Sequence, residues 1–334
     1  MFASMIQKEV VNCLYCMNSD YEEIISWYDE DVLDTIHYVK CKKCRLVFMN
    51  PRPTKEEMSK YYLKSYYSYH KLDVISKKRR GSIWETTKII LLTKVITFTF
   101  RKKNIFEKFF YGLLVLFFNT MAGGTGLPWN KKSGKLLDVG CGDGFFLYIM
   151  RQVSDIEVYG VELGVEGVKK AKEYGLDVTH GDIFSCSAPD NSFDVIMMKG
   201  VLEHTHNPLR DLGKAYRLLA PGGEIVLGGL PNIDNCYTTI FGTNLELFYD
   251  RHHTFISEYT HIVKMLSKEG FRDIRVKFLG VHQFSQSVSR LLQPRKYANT
   301  IGYNPFFLLF GGLLDLILNT FGKGGGGLEV RALK

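Results

Sequence analysis

Three groups of residues have types and spacings that suit them to chemistry. The first is four cysteines in two close pairs, Cys13-Leu-Tyr-Cys16 and Cys41-Lys-Lys-Cys44, with 24 residues between the pairs. Four thiolates so spaced close a tetrahedral site around a zinc ion and leave no open position for a reacting molecule, so the expected role of the metal is structural. In a reducing compartment, CxxC pairs point to metal before disulfide. Cys141, Cys186 and Cys236 stand apart and read as small packing residues. The second group surrounds a glycine turn. The stretch Lys135 to Phe146 reads KLLDVGCGDGFF, with Gly140, Gly142 and Gly144 in the turn and Asp138 and Asp143 beside them. Such a turn lets a ligand approach the backbone closely. The glycines fall as GxGxG rather than the GxGxxG of dinucleotide sites, and carboxylates at 138 and 143 repel a pyrophosphate. A ligand with an ammonium group and no phosphate fits better. The third group is of bases: Glu203 and His204 in Val-Leu-Glu-His, and His252 in Tyr-Asp-Arg-His-His. Each is able to take a proton from a bound molecule, although a lone histidine more often serves as a structural hydrogen bonder.

The elements that must hold these groups alternate strand and helix, the pattern of an α/β, Rossmann-like, doubly wound sheet. Leu136, Leu137 and Val139 give a buried strand, and the glycine turn leads into an apolar helix from Phe145 to Val153. A second strand over Ile156 to Val161 ends at Glu162, 24 residues after Asp138. There an acidic side chain is placed to accept hydrogen bonds from ribose hydroxyls. The spacing predicts a helix over Val165 to Tyr174, then strands over Leu176 to His180 and Ser192 to Met198. Asn207 caps a helix that has Pro208 at its first position and runs to Leu219. Strands follow over Glu224 to Leu230 and Phe271 to Leu279, separated by a helix that starts at Ser257 and is stopped by Gly270. Leu328 to Leu333 would close the sheet as its seventh strand. Upstream, Thr54 with Glu57 reads as a capping box and predicts a short helix from about Lys55 to Tyr62.

DVGCGDG resembles the first motif of the class I methyltransferases that use S-adenosylmethionine, a cofactor with an ammonium group and no phosphate. That resemblance implies a seven-stranded sheet whose last strand is antiparallel. It also implies that Asp138, Gly140, Cys141, Gly142 and Gly144 line the cofactor, with Glu162 and Leu163 at the ribose. Asp182 would face the adenine amino group, Ile183 the ring, and Lys199 would close the end of the fourth strand. The zinc knuckle followed by Asn50-Pro-Arg-Pro-Thr-Lys-Glu-Glu57 and the paired tyrosines Tyr66 and Tyr67 narrows the match. It is similar to bacterial and archaeal methyltransferases found with glycan and lipid-linked saccharide biosynthesis and, more distantly, to sugar C-methyltransferases. In those relatives tyrosines after the knuckle lie over the substrate; a solvated aromatic face is the alternative here. The resemblance also matches Arg251 and His252 to a pair beside the substrate, with Glu203 and His204 as the other catalytic candidates.

At 334 residues and 46% hydrophobic, the chain has room for one large core and a smaller module. The expected units are a zinc-knuckle and tyrosine-rich module over 1–75, a basic apolar helical insertion over 76–130, and a cofactor domain over 131–334 with an amphipathic insertion at 281–326. Lys77 to Lys108 holds ten Lys or Arg against two Asp or Glu, a balance of +8 that equals the net charge of the chain. Together with the apolar run from Phe109 to Phe118 and a helical stripe of Phe306, Phe310, Leu313, Leu314, Ile317 and Phe321, this predicts docking on an anionic membrane surface without spanning it. Packing of the two segments on each other or across a dimer is the alternative. No charged leader with a cleavage site opens the sequence, so the expected location is cytoplasmic, peripheral on the inner face of the cell membrane. Nucleic acid is an unsuitable partner, because Glu22, Glu23, Asp29, Glu30, Asp31 and Asp34 lie between the cysteine pairs. Methyl transfer to a saccharide or other small acceptor, free or lipid-linked, at the membrane surface is the favoured reading, with a quinone or isoprenoid methyltransferase and a non-catalytic zinc-containing binding module as alternatives. Neither the acceptor atom nor the oligomeric state is encoded in any motif.

Overall fold

The computed structural model describes residues 6–61, 93–94, 133–279, 283–292, 310–311, 314, 317–318 and 325–334. Tyr66, Tyr67, nearly all of the basic insertion at 76–130 and, of the C-terminal stripe, Phe306, Leu313 and Phe321 lie outside the described residues.

The N-terminal residues build strands β1 (Lys8–Glu9), β2 (Tyr21–Asp29), β3 (Asp34–Cys41), β4 (Val47–Met49) and β5 (Arg52–Pro53). After them comes a turn of 3-10 helix, Met58–Tyr61, in place of the longer helix expected from Lys55 to Tyr62. The capping box does not form: the Glu57 carboxylate accepts from Gln7 N and Lys60 Nζ instead of reaching back to the Thr54 amide, which donates to Gln7 O. Without its reciprocal bonds the helix has no fixed start, and residues 55–57 form a turn ahead of it; Tyr62 lies outside the described residues.

The alternating part begins with β6 (Ser133–Val139), α1 (Phe145–Val153), β7 (Asp155–Glu162), α2 (Val165–Glu173), β8 (Val178–His180) and β9 (Phe193–Lys199). It continues through α3 (Pro208–Leu218), β10 (Leu219–Pro231), α4 (Cys236–Phe241), β11 (Phe255–Ile256), α5 (Tyr259–Lys268), β12 (Arg272–Leu279), α6 (Gln283–Leu292) and β13 (Gly327–Leu333). Seven strands form one sheet in the order β12-β13-β10-β9-β6-β7-β8. The pairs from β10 to β8 are parallel, while β13 runs antiparallel to both β10 and β12, as expected for the last strand. The chain steps from β6 to β7 on one side and returns to β9 on the other. The C-terminal end of β6 is therefore the switch point of the sheet, where ligands bind in doubly wound folds.

Local signals account for most boundaries. Asn207 caps α3 by accepting from Arg210 N at 3.1 Å, and Pro208 occupies its first turn. The α5 helix is capped by Glu258 rather than Ser257: the Glu258 carboxylate and the His261 ring close a reciprocal capping box, whereas Ser257 is fully buried and bridged to Asn232.

The N-terminal strands are not a free-standing unit. Their four-stranded sheet has the order β11-β4-β3-β2, so its edge strand comes from the loop after β10. Cys13, Val39, Cys41, Leu46 and Phe48 share one apolar cluster with Leu137, Ile225 and Leu266 of the large sheet and its helices. Some 200 residues of chain separate the partners in that sheet, so its pairing depends on the large core being in place.

Candidate active site

The glycine turn follows β6 at the switch point. Leu136, Leu137 and Val139 bury the strand, and positive φ at Gly140 (71°), Gly142 (60°) and Gly144 (78°) turns the chain into α1. A Cβ at Gly140 would meet Val201 Cγ2 at 2.5 Å, and one at Gly144 would meet Leu176 Cδ1 at 2.4 Å, so larger residues are excluded by contact as well as by conformation. Asp143 accepts from Phe145 N just ahead of α1, whose N-cap residue is Gly144. The Glu162 carboxylate lies across the turn: Oε2 accepts from Gly142 N at 2.8 Å and Oε1 from Gly164 N at 2.6 Å. Burial pushes this carboxyl up, opposed by those two amide bonds. Each oxygen keeps a lone pair for a hydroxyl donor.

Asp138 is 5% exposed beneath the turn. Asp182, at the end of the loop after β8, accepts from Phe184 N and from Lys55 Nζ at 2.6 Å; burial works against its charge, but the lysine holds it low. Three carboxylates thus stand at the C-terminal ends of three adjacent strands, Asp138 within β6, Glu162 as the last residue of β7 and Asp182 just after β8. Cys141 packs against Gly160, where a Cβ would approach Sγ to 2.7 Å, and Ile183 lies inside the main core at 1% exposure. Leu163 is 63% exposed on the rim, an apolar face beside the Glu162 carboxylate. Lys199 ends β9 with its stem against Gly228.

The second cluster stands after β9. Glu203 and His204 lie in a turn of 3-10 helix that is held to the loop before β11 through Thr254, whose amide donates to Glu203 O at 2.8 Å. Glu203 is 2% exposed; burial and the nearby Asp250 charge push its carboxyl up to about 8, and Oε2 has no hydrogen bond among the described residues. His204 Nδ1 donates to His252 O at 2.8 Å, and burial lowers this ring to about 3, which makes it a weak base. The two ring nitrogens of His252 face Asp250 Oδ1 at 2.7 Å and the Tyr61 carbonyl at 3.0 Å. A carbonyl only accepts, so Nε2 carries a proton and turns no lone pair to a second molecule while Tyr61 stays in place. Sequence reasoning passed over two members. Although burial opposes its charge, the imidazoles of His253 and His252 hold Asp250 well below the usual carboxylate range. His253 is lowered by burial and stacks at 5.1 Å from His204. The signal for both was the run Asp-Arg-His-His, of which only the middle pair was weighed.

The N-terminal strands fix this loop. Arg251 Nη1 pairs with Asp29 at 2.7 and 2.8 Å and with Asp31 at 3.0 Å. Tyr38 Oη sits 2.9 Å from the carbonyls of both Asp250 and His253, and Trp27 donates to Phe248 O. Arg52, from the Asn-Pro-Arg-Pro stretch, is buried and donates to His206 O at 2.8 Å. That motif therefore docks the strands onto the loop carrying Glu203.

The four cysteines converge. Cys13 and Cys44 sulfurs are 3.4 Å apart and those of Cys16 and Cys41 are 3.6 Å apart, too far for disulfides and close to the roughly 3.8 Å edge of a tetrahedron with Zn–S bonds of about 2.3 Å. Both knuckles end in a residue with left-handed φ, Met17 (59°) and Arg45 (69°), so the pairs present their thiols through matching turns. The donor set fits zinc.

Comparison with known proteins places a methyltransferase domain model over residues 116–276. Among curated relatives, phosphoethanolamine N-methyltransferase 3 of Arabidopsis thaliana is 30% identical over 103 residues, 29% of this chain and 21% of that protein. The chloroplastic 2-methyl-6-phytyl-1,4-hydroquinone methyltransferase 1 of Oryza sativa subsp. japonica is 26% identical over 151 residues, 44% of this chain and 43% of its own. The chain thus spans less than half the length of these relatives. A solved S-adenosylmethionine-dependent methyltransferase from Archaeoglobus fulgidus aligns with a TM-score of 0.42 and 22% identity, over 60% of this chain and 86% of its own.

Proposed function

We propose that this chain, which carries a class I methyltransferase domain, moves a methyl group from S-adenosylmethionine to a saccharide or other small lipid-linked acceptor at a membrane surface. The observation that carries the reading is the run of carboxylates Asp138, Glu162 and Asp182 at the C-terminal ends of the adjacent strands β6, β7 and β8, around a glycine turn at the switch point. Such a cradle suits a ligand with an ammonium group and ribose hydroxyls and disfavours phosphates. When bound, the cofactor supplies an electrophilic methyl on a sulfonium that leaves as a thioether. Glu162 accepts from the ribose, and Asp138 lies where it offsets the cofactor's positive charge. Asp182 is available to the adenine amine once it shares or releases Lys55. Glu203 takes the acceptor's proton in preference to His252: its Oε2 is uncommitted among the described residues, whereas both His252 nitrogens are engaged. Holding the acceptor oxygen or carbon on the axis of the C–S bond is the rest of the task.

Zinc on Cys13, Cys16, Cys41 and Cys44 gives the N-terminal sheet the rigidity with which it holds the 250–254 loop. For the membrane surface, the support is that Leu314 and Leu318 pack inward while Phe310 and Ile317 are 49% and 55% exposed. No helix among the described residues is long and apolar enough to cross a membrane. A second reading, a quinone or isoprenoid acceptor, is favoured by the hydroquinone methyltransferase among the relatives. The test is to incubate the protein with methyl-labelled S-adenosylmethionine and membrane lipid extract. Label in a lipid-extractable product whose methyl is released with sugar on mild acid supports the saccharide reading. Label that stays with an isoprenoid quinone supports the second, and no transfer to any lipid fraction counts against both.

A further inference from the structure

The carboxylate cradle receives one side chain from outside its own sheet. Lys55 lies two residues beyond β5, where the backbone is held from two directions. On one side, β5 pairs with β1 and Thr54 N donates to Gln7 O at 3.1 Å. On the other, Arg52 Nη1 donates to His206 O at 2.8 Å, and His206 Nε2 donates to the Pro53 carbonyl at 2.9 Å. His206 belongs to the loop after β9, so these bonds fix the end of β5 to the large sheet and set Lys55 against the loop after β8. There its Nζ meets Asp182 Oδ2 at 2.6 Å. An ion pair between two mobile surface side chains holds its geometry poorly. Here the lysine starts from a pinned backbone, and Asp182 is held by Phe184 N, which donates to Oδ1 at 3.0 Å. Both partners keep unused capacity: an ammonium has three donors and a carboxylate oxygen two lone pairs, and the two side chains are 59% and 27% exposed. The pair therefore offers a donor beside an acceptor. Adenine carries the complement, an amine that donates next to a ring nitrogen that accepts.

We propose that Lys55 is a cofactor-recognition residue that reads the adenine jointly with Asp182: Asp182 Oδ2 accepts from the 6-amino group while Lys55 Nζ donates to a ring nitrogen beside it. The proposal rests on the S-adenosylmethionine reading of the cradle and extends it, because Lys55 comes from the chain that follows the N-terminal strands and acts with Asp182 instead of vacating it. A hydrogen bond whose donor is charged is stronger than a neutral one, which gives the lysine a direct part in affinity. The same short segment ends at Tyr61, whose carbonyl accepts from His252 Nε2 at 3.0 Å. Residues 55–61 would then reach from the adenine at one end to the loop of catalytic candidates at the other.

The test titrates S-adenosylhomocysteine, which has no methyl to transfer, and its 1-deaza and 7-deaza analogues into the whole wild-type protein and Lys55→Met by calorimetry. Methionine keeps an apolar stem and removes the donor, and circular dichroism checks that the exposed substitution leaves the fold intact. Lys55→Met should bind S-adenosylhomocysteine about 3- to 10-fold more weakly than wild type. One of the two deaza analogues should be weaker than the parent by a similar factor on wild type and no weaker than the parent on Lys55→Met, where the bond is already gone. Equal or tighter binding of S-adenosylhomocysteine by Lys55→Met overturns the proposal, since a lysine that only blocks Asp182 gives that result. Deaza losses of the same size in both proteins overturn it too. No binding by wild type removes the cofactor reading and this one with it, whereas wild-type binding that the lysine does not alter removes this one alone.

Discussion

Alanine should have opposite effects at two helical glycines. Gly167 lies in α2, where an added Cβ would stand 2.8 Å from Gly142 O and 3.1 Å from both Gly142 C and Glu162 Cγ. Two of those contacts are backbone of the glycine turn, and the third is the stem of the carboxylate that grips it. Gly213 lies in α3, where the Cβ would meet the Glu269 carboxylate, Oε2 at 2.7 Å and Cδ at 3.6 Å, the far end of a side chain able to swing away. Replacing a helical glycine by alanine is worth about 0.5–1 kcal/mol in backbone entropy. That gain should stand nearly whole for Gly213→Ala. For Gly167→Ala it is set against roughly 1–3 kcal/mol of overpacking, which leaves a net destabilisation of about 1 kcal/mol. Displacing the turn also lengthens the Gly142 N to Glu162 bond. A loss of about 1 kcal/mol there corresponds to roughly a fivefold fall in S-adenosylmethionine affinity. Urea unfolding read with cofactor titration checks both variants. Equal shifts of the same sign, or a destabilised Gly167→Ala that binds cofactor as tightly as wild type, would refute the packing argument.

Serine at Cys44 should remove the zinc and lower turnover more than cofactor affinity, because Val47 and Phe48 pair with Ile256 and Phe255 and the Cys44 carbonyl accepts from His261 at 2.8 Å; zinc analysis with steady-state kinetics checks this, and unchanged turnover in zinc-free protein would exclude it. Arg251→Ala strands the buried Asp29 and should cost about 3 kcal/mol in denaturant unfolding, whereas Asp31→Ala, whose side chain is 65% exposed, should cost under about 1 kcal/mol. Burial raises Asp211 to about 6 in the folded protein, against an ordinary 3.8. The folded state therefore holds this proton more tightly, and the residue's contribution to stability falls as pH rises from about 4 to 6. Asp211→Asn should gain on wild type through that window, by no more than about 3 kcal/mol before solvent screening; parallel pH dependence of the two proteins would show that the carboxyl is not the cause.

The large sheet was legible because its signals are local. The apolar runs at Leu136 to Val139 and Phe193 to Met198, the Asn207-Pro208 start of α3 and the glycine turn each name an element without help from the rest of the chain. The two CxxC pairs likewise announce a meeting of thiols, since four-donor spacing is written in the sequence. The link between the N-terminal strands and the 250–254 loop was not legible. Its strand β11 is two residues long, with no periodicity to detect, and its partner β4 lies about 200 residues away. Thr54 and Glu57 had the pattern of a capping box, but Gln7 and Lys60 took the bonds. His252 drew attention by the pair it forms with Arg251, whereas the burial that sets Glu203 and His253 apart arises only when β9 and that loop are brought together. Leu163 and Ile183 illustrate the same limit: both are apolar residues after strand ends, yet one is exposed on the rim and the other is sealed in the core.

The central claim is that the carboxylate-lined turn at the end of β6 holds S-adenosylmethionine, and calorimetric titration of the whole protein tests it most directly. The cofactor should bind one per chain, and Asp138→Ala and Glu162→Ala should each weaken it by about 1–3 kcal/mol, the value of a hydrogen bond or charge contact in a buried site. Equal affinity in wild type and both variants, or tighter binding of a nicotinamide dinucleotide, would contradict it.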